Sequence, residues 1–261
     1  MLSKGRLKYF NSLKNKKFRD ADNLFVAEGD RLVTDLIPHF QLRFLVALPS
    51  WIESHSRVLP SPSCEIIDVT PDEMSRITLL NTPSPVYAIF ARPLTCDNLE
   101  FRESIEPPEG QGNIILALDT VQDPGNLGTI IRTADWFGVR HILCSRQTAD
   151  VYNPKVVQST MGAIARVRVH YCDLVATLGR MRDGGWNVYG TFLDGANIYS
   201  SALCRNRAVI VMGNEGNGIS EAVAAVVNKR LLIPSYPIGE PTSESLNVSI
   251  ATAIVLSEFR R

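Results

Sequence analysis

Between Phe25 and Phe90 the apolar positions come in short bursts: Phe25-Val26-Ala27, Arg43-Phe44-Leu45-Val46-Ala47, Glu65-Ile66-Ile67 and Val86-Tyr87-Ala88-Ile89-Phe90. Bursts of this length, rich in β-branched and aromatic residues, predict strands. Helical periodicity between them predicts helices over 30–37 and 71–79, so this part reads as a small α/β unit. Ahead of it, Leu7, Phe10 and Leu13 recur at helical spacing among the basic residues Lys4, Arg6, Lys8, Lys14, Lys16, Lys17 and Arg19, with no acid among them. That predicts one basic amphipathic helix over 4–19. The polar stretch 103–112, with Pro107-Pro108-Glu109-Gly110, reads as a linker.

From Asn113 onward the pattern changes to continuous apolar runs at 114–118, 142–143, 167–169, 186–192, 208–212 and 231–233, with helical periodicity over 127–137, 154–161, 174–182 and 219–227. Runs that do not alternate with polar positions belong to strands covered on both faces, which predicts a parallel sheet. The closing stretch 246–259 is apolar nearly all round and rich in Ser, Ala and Thr, which predicts a buried, closely packed helix. The expected organisation is a first domain over 1–106, a linker over 107–112 and a second domain over 113–261.

Composition narrows the partners. Among 261 residues, 27 basic side chains balance 27 acidic ones, so attraction to a polyanion must come from a local patch. No apolar run approaches the roughly 18 residues of a membrane span. The basic N-terminal stretch lacks the apolar core of a secretory signal. The five cysteines (Cys64, Cys96, Cys144, Cys172, Cys204) are odd in number and never spaced CxxC, so a reduced cytoplasmic protein without a structural metal is expected. The histidines (His39, His55, His141, His170) show no metal-ligand spacing.

Ligands of open parallel sheets sit at the carboxyl ends of strands, and three loops in such places carry candidate chemistry. The first, Leu118-Asp119-Thr120-Val121-Gln122-Asp123-Pro124-Gly125-Asn126-Leu127-Gly128, turns at Pro-Gly, and Asn126 is expected to cap a helix starting at Leu127. On that helix Thr129, Arg132, Thr133 and Trp136 form a stripe outside the core face. The second loop, Met212-Gly213-Asn214-Glu215-Gly216-Asn217-Gly218, sets an acid among glycines in GxxGxG order. That is neither the GxGxxG of a dinucleotide site nor a P-loop, which counts against a dehydrogenase. The third runs Ile233-Pro234 to Ser245-Leu246-Asn247. Ser243 or Ser245 is placed to cap the last helix, and Asn247 falls inside it, where an apolar environment demands that its amide be fully hydrogen-bonded. Taken singly, each loop is explained by ordinary turn and cap chemistry.

Taken together, Asn126…Arg132, Gly213-Asn214-Glu215-Gly216-Asn217-Gly218 and Ile233-Pro234…Ser245-Leu246-Asn247-Val248-Ser249 resemble the three motifs of the SpoU (TrmH-type) RNA 2′-O-ribose methyltransferases of the SPOUT superfamily. The resemblance runs from Asn113 to the C-terminus, and 1–106 resembles, less specifically, the L30e/L7Ae-like domain that precedes it in several members. One departure is the longer loop Tyr236 to Ser243. The resemblance implies an α/β fold with a deep trefoil knot, a homodimer, and S-adenosyl-L-methionine held by Thr191, Gly213, Ile233 and Leu246. It also implies methyl transfer to a ribose 2′-hydroxyl of rRNA or tRNA. Arg132 would be the catalytic cation, held with the ribose by Asn126 and Glu215, while Ser245 and Asn247 fix substrate and loop. Lys4, Arg6, Lys8, Lys14, Lys16 and Lys17 would meet RNA phosphates, and removing residues 1–19 should then weaken RNA binding. A catalytically inactive RNA-binding or ribosome-assembly factor with the same fold is the alternative; five intact site residues count against it.

Overall fold

The computed structural model describes residues 2–57, 59, 64–93, 113–237, 240 and 243–261. The expected linker 107–112 and the end of the first domain at 106 lie outside the described residues, as does part of the long Tyr236 to Ser243 loop. The described residues form two compact units, one from Met1–Thr95 with Asp150–Ala165, the other from Cys96–Ala149 with Arg166–Arg261.

The first unit is built on a four-stranded sheet of β1 (Leu24–Glu28), β2 (Leu42–Ala47), β3 (Glu65–Asp68) and β4 (Val86–Ala91), in the order β1-β4-β2-β3. Strands β1 and β2 each pair antiparallel with β4, and β2 pairs parallel with β3. Helices α1 (Lys4–Ser12), α2 (Lys16–Asp22), α3 (Asp30–Leu36), α4 (Pro49–Ser54) and α5 (Pro71–Ser75) surround it. The expected strands are present, as are the two helices between them, although the second ends at Ser75 rather than 79; α4 is not among the expected elements. Helix α5 opens on a reciprocal capping box between Thr70 and Glu73, with Pro at N1.

The single N-terminal helix expected over 4–19 is two helices. Leu13 ends α1, and Asn15, extended at φ −91°, opens α2. Arg19 explains the break. Its guanidinium turns inward and donates to the Leu13 and Lys14 carbonyls freed at the end of α1, and pairs with Asp150 at 2.8 Å. Its side chain is only 2% exposed, so this residue cannot meet a phosphate. Phe10 and Leu13 are fully buried beside Tyr87 and Ile89. Deleting residues 1–19 would therefore remove core, and the deletion is not a clean test of RNA binding. Of the candidate RNA-binding cations, Arg6 pairs with Glu65 and Lys16 with Asp20, and Lys4, Lys8, Lys14 and Lys17 remain exposed on the surface.

Helix α7 (Pro154–Thr160) also belongs to the first unit, packing against β1 although it follows the second unit's early strands in sequence. Tyr152 lies against Phe25, with the Arg92 guanidinium 4.8 Å above its ring. Together with Arg19–Asp150, these contacts fix the Asp150–Ala165 segment within this unit.

The second unit is a six-stranded parallel sheet of β5 (Ile114–Leu118), β6 (His141–Cys144), β7 (Arg168–Tyr171), β8 (Asn187–Asn197), β9 (Ala208–Met212) and β10 (Lys229–Leu232), ordered β10-β8-β9-β5-β6-β7. Central β5 and β9 are buried at every residue, which is why they read as unbroken apolar runs. Outer β7 and β10 carry Arg168, Lys229 and Arg230 at exposed positions. Helices α6 (Pro124–Trp136), α8 (Leu174–Asp183), α9 (Glu221–Ala224) and α10 (Val248–Arg260) complete the unit, and α6 packs against α10. The periodicity over 219–227 yields only the one-turn α9.

Replacing one partner of the Arg19–Asp150 pair strands a buried charge, which costs about 3–5 kcal/mol. Arg19→Met should lower the unfolding free energy by that order in urea denaturation, and Arg19→Met with Asp150→Leu should recover much of it.

Candidate functional site

The site is assembled at the carboxyl ends of the neighbouring strands β5 and β9. After β5, Asp123 rather than Asn126 caps α6: its side chain accepts the Asn126 N–H at 2.8 Å, and Pro124 sits at N1. The correction matters chemically. A capping Asn would spend its side chain on backbone, whereas Asn126 lies in the first helical turn with its amide available. Asn126 Nδ2 donates to Glu215 Oε1 at 3.0 Å, and its Oδ1 accepts from Asn247 Nδ2, also at 3.0 Å.

Asn247 is likewise not inside the last helix but is the N-cap of α10. It is exposed, not buried; its Oδ1 accepts from the Ser249 N–H at 2.9 Å, the Ser249 hydroxyl at 2.6 Å and the Ile250 N–H at 3.4 Å. Neither Ser243 nor Ser245 caps this helix. The helix itself is buried along Val248, Ser249, Thr252, Val255, Leu256 and Phe259, and Ile250 stays 53% exposed. The all-round burial expected from its composition is thus confined to one side.

Glu215 receives four donors: the Asn126 amide, the Asn214 amide at 3.4 Å, and the Gln122 and Asp123 N–H groups, each at 3.4 Å. A carboxylate beside the start of α6 also sits in the favourable end of the helix dipole. The loop carrying it is shaped by Asn214, a residue the sequence analysis did not single out. Asn214 Nδ2 donates to the Thr120 carbonyl at 2.7 Å, and its Oδ1 accepts from the Gly216 and Asn217 N–H groups. Asn-x-Gly is an Asx-turn pattern and was the available signal. Two further residues went unnoticed. Asp119, 4% exposed, accepts the Ser220 N–H at 2.8 Å and so ties β5 to the far end of the same loop. Thr120 is a β-branched residue at φ 61°, a strained conformation that turns Gln122 and Asp123 toward Glu215.

Gly213 is buried, and a Cβ there would stand 2.2 Å from the Gly218 carbonyl carbon. Close backbone approach is the reason for glycine at this position. Thr191, within β8, and Ile233, just after β10, are half-buried, and Leu246 is 50% exposed. Strand β8 leaves its pairing with β10 after Gly190 and resumes it at Ala196, so Thr191 begins a bulge of unpaired backbone in the sheet.

The structure thus brings Asn126, Glu215 and Asn247 together. Arg132, two turns along α6, is exposed and makes no hydrogen bond or ion pair among the described residues; Ser245 is exposed in the same way. The four described cysteines are unpaired, and no group of three potential metal ligands exists among the described residues. His141 and His170 face one another at 3.1 Å across β6 and β7; burial, with His170 and Arg168 nearby, pushes His141 down to about 4, and burial and Arg168 push His170 in the same direction.

Fold and site define a two-unit α/β protein with polar loops clustered at the end of a parallel sheet. Residues 113–257 match the model of the SpoU rRNA methylase family, and residues 4–88 match that of an MRM3-like substrate-binding domain. The chain belongs to the SpoU rRNA methylase family. It is 30% identical over 98% of its length to the 23S rRNA (guanosine(2553)-2′-O)-methyltransferase RlmP of Bacillus subtilis, covering 96% of that protein. Among solved structures, a TrmH-family protein from Porphyromonas gingivalis is 40% identical with a TM-score of 0.84, covering 100% of this chain and 98% of that one. An AdoMet-bound rRNA methyltransferase from Sinorhizobium meliloti is 29% identical, also with a TM-score of 0.84, covering 100% of this chain and 95% of that one.

Gly213→Ala forces the 213–218 loop open, a clash costing about 1–3 kcal/mol. Thermal unfolding should show a lower midpoint, and amide exchange should quicken at Gly218, whose N–H is held by the Asn214 carbonyl at 3.0 Å.

Proposed function

We propose that this protein methylates a ribose 2′-hydroxyl in ribosomal RNA. It is an enzyme with S-adenosyl-L-methionine as cofactor, as its family and its full-length relatives require. The observation that carries the reading is the Glu215–Asn126–Asn247 chain, which joins all three motif loops with every amide oriented. The choice of ribosomal over transfer RNA rests on the relative matched over nearly its whole length.

The residues fit the cofactor through their donor set. Backbone N–H and C=O groups at Thr191, Gly213, Ile233 and Leu246 would hold it, because adenine edges are read well by groups whose geometry the fold fixes. The cofactor, when bound, supplies an electrophilic methyl on a sulfonium. The chain's own work is then to orient the ribose and to stabilise the alkoxide as the 2′-hydroxyl loses its proton. Arg132 is the catalytic residue: a guanidinium remains charged in a protein, so it acts as a fixed cation on the adjoining phosphate and the developing alkoxide, and the proton leaves to water or phosphate. Asn126, Glu215 and Asn247 are positioning residues, since their polar atoms are occupied by one another. Ser245 contacts the substrate. The second unit is read as carrying the trefoil knot that the family resemblance implies. In the first unit Lys4, Lys8, Lys14 and Lys17 grip RNA phosphates, with Arg6 and Lys16 shared between phosphate and their acidic partners.

The active assembly is a homodimer through the α6–α10 face, in a cytoplasmic setting. That face leaves Trp136 85% and Ile250 53% exposed on packed helices, and Arg132 shares the Trp136 stripe. A second copy would cover the apolar groups and enclose the arginine.

Incubation with labelled cofactor and separate ribosomal and transfer RNA pools should label the ribosomal pool, at a ribose oxygen. Arg132→Ala should cut the single-turnover rate at least 100-fold with cofactor affinity unchanged, and near-normal transfer would refute its role. Light scattering should report a dimer, and Trp136→Glu should shift it to monomer.

A further inference from the structure

A cavity of about 440 Å³ opens on the first unit, and of the candidate site residues only Lys14 lines it. That volume falls in the range of small-ligand sites. Its floor is Val26 and Glu28 at the end of β1, both buried, and Glu28 is 2% exposed. Leu79, Leu80 and Pro154 form apolar walls, and the exposed Lys14 and Lys155 stand at the rim.

Glu28 is the unusual group. A buried carboxylate is costly unless its lone pairs are satisfied. One oxygen accepts the Thr78 hydroxyl and the other the Leu79 N–H at 2.8 Å. Each carboxylate oxygen has about two acceptor sites, so each keeps one. Gln158, half-buried on the same wall, has a side-chain amide without a hydrogen bond among the described residues.

We propose that this cavity binds an unstacked guanine nucleotide of the RNA substrate. A carboxylate with an acceptor site left on each oxygen is matched by two adjacent donors, and among the four bases the guanine Watson–Crick edge presents them as N1–H and the N2 amino group. Adenine and cytosine offer one amino group beside an acceptor nitrogen, which would face the carboxylate repulsively. Leu79, Leu80 and Pro154 cover the faces of the base, the Gln158 amide meets its remaining polar edge, and Lys14 and Lys155 meet the phosphate. Single-stranded RNA is read in this way, by splayed bases held on their edges. The inference rests on the RNA-methylating function in that it makes the first unit a reader of one base beyond the methylated ribose.

The test uses the full chain and two separate readouts. In NMR titrations, guanosine 5′-monophosphate should perturb Leu79, Leu80 and Gln158 at concentrations at least ten-fold below those needed with adenosine or cytidine monophosphate or inorganic phosphate. Leu80→Trp, which fills the cavity, and Gln158→Ala should each weaken that binding ten-fold or more while cofactor affinity stays unchanged. Equal response to all nucleotides, or to phosphate alone, would overturn the proposal, as would guanine binding that survives Leu80→Trp. This arm requires no methyl transfer, so its failure is distinct from failure of the methyltransferase reading. In the second arm the same variants should raise KM for ribosomal RNA at least ten-fold with kcat retained. Guanosine monophosphate binding without that KM effect would refute RNA as the source of the guanine.

Discussion

A carboxylate can only accept hydrogen bonds, and that constraint organises the second unit. Because Glu215 accepts, the Asn126 amide must present its NH2 group to it and its oxygen to Asn247. Because Asn126 then accepts, Asn247 must donate to it, leaving the Asn247 oxygen to cap α10. No amide in the chain can flip without placing like ends together. One acid thereby sets the direction of a hydrogen-bond chain running from the β9 loop through α6 to the start of the last helix. Loops from distant parts of the sequence are held in one arrangement without any burial of their polar atoms in the core.

The loop geometry behind that chain carries stored strain. Thr120 in left-handed backbone costs on the order of 1–3 kcal/mol, and it is held there by the Ser145 hydroxyl on its N–H and the Asn214 amide on its carbonyl. The return is two backbone N–H groups facing Glu215. Gly213 serves the same end by letting the two sides of its loop touch. Arg132 belongs to the opposite regime, exposed and without a hydrogen bond or ion pair among the described residues.

Much of this was legible in the sequence. Strand runs in both units, the parallel character of the second sheet and the three loops follow from apolar periodicity and from Gly, Pro and Asn placement. Caps were legible only approximately. The local roles of Asn126 and Asn247 are not legible from spacing, because Asp123-Pro124 also makes a helix start and spacing cannot rank two adjacent caps. The break between α1 and α2 was hidden for another reason. Arg19 looks like one more surface cation until Asp150, far along the chain, supplies its counter-charge. The same long-range partner puts Asp150–Ala165 with the first unit, which no local pattern announces. Glu28 carries no signal in the sequence, because an acid at a strand end reads as solvent-facing.

The outer strands of the larger sheet have a consequence for how copies of the protein can meet. With Arg168 exposed on one flank and Lys229 on the other beside the Asp194-paired Arg230, a second sheet approaching edge-on would have to desolvate these charges. Extension of the sheet into a continuous ribbon is thereby discouraged at both margins.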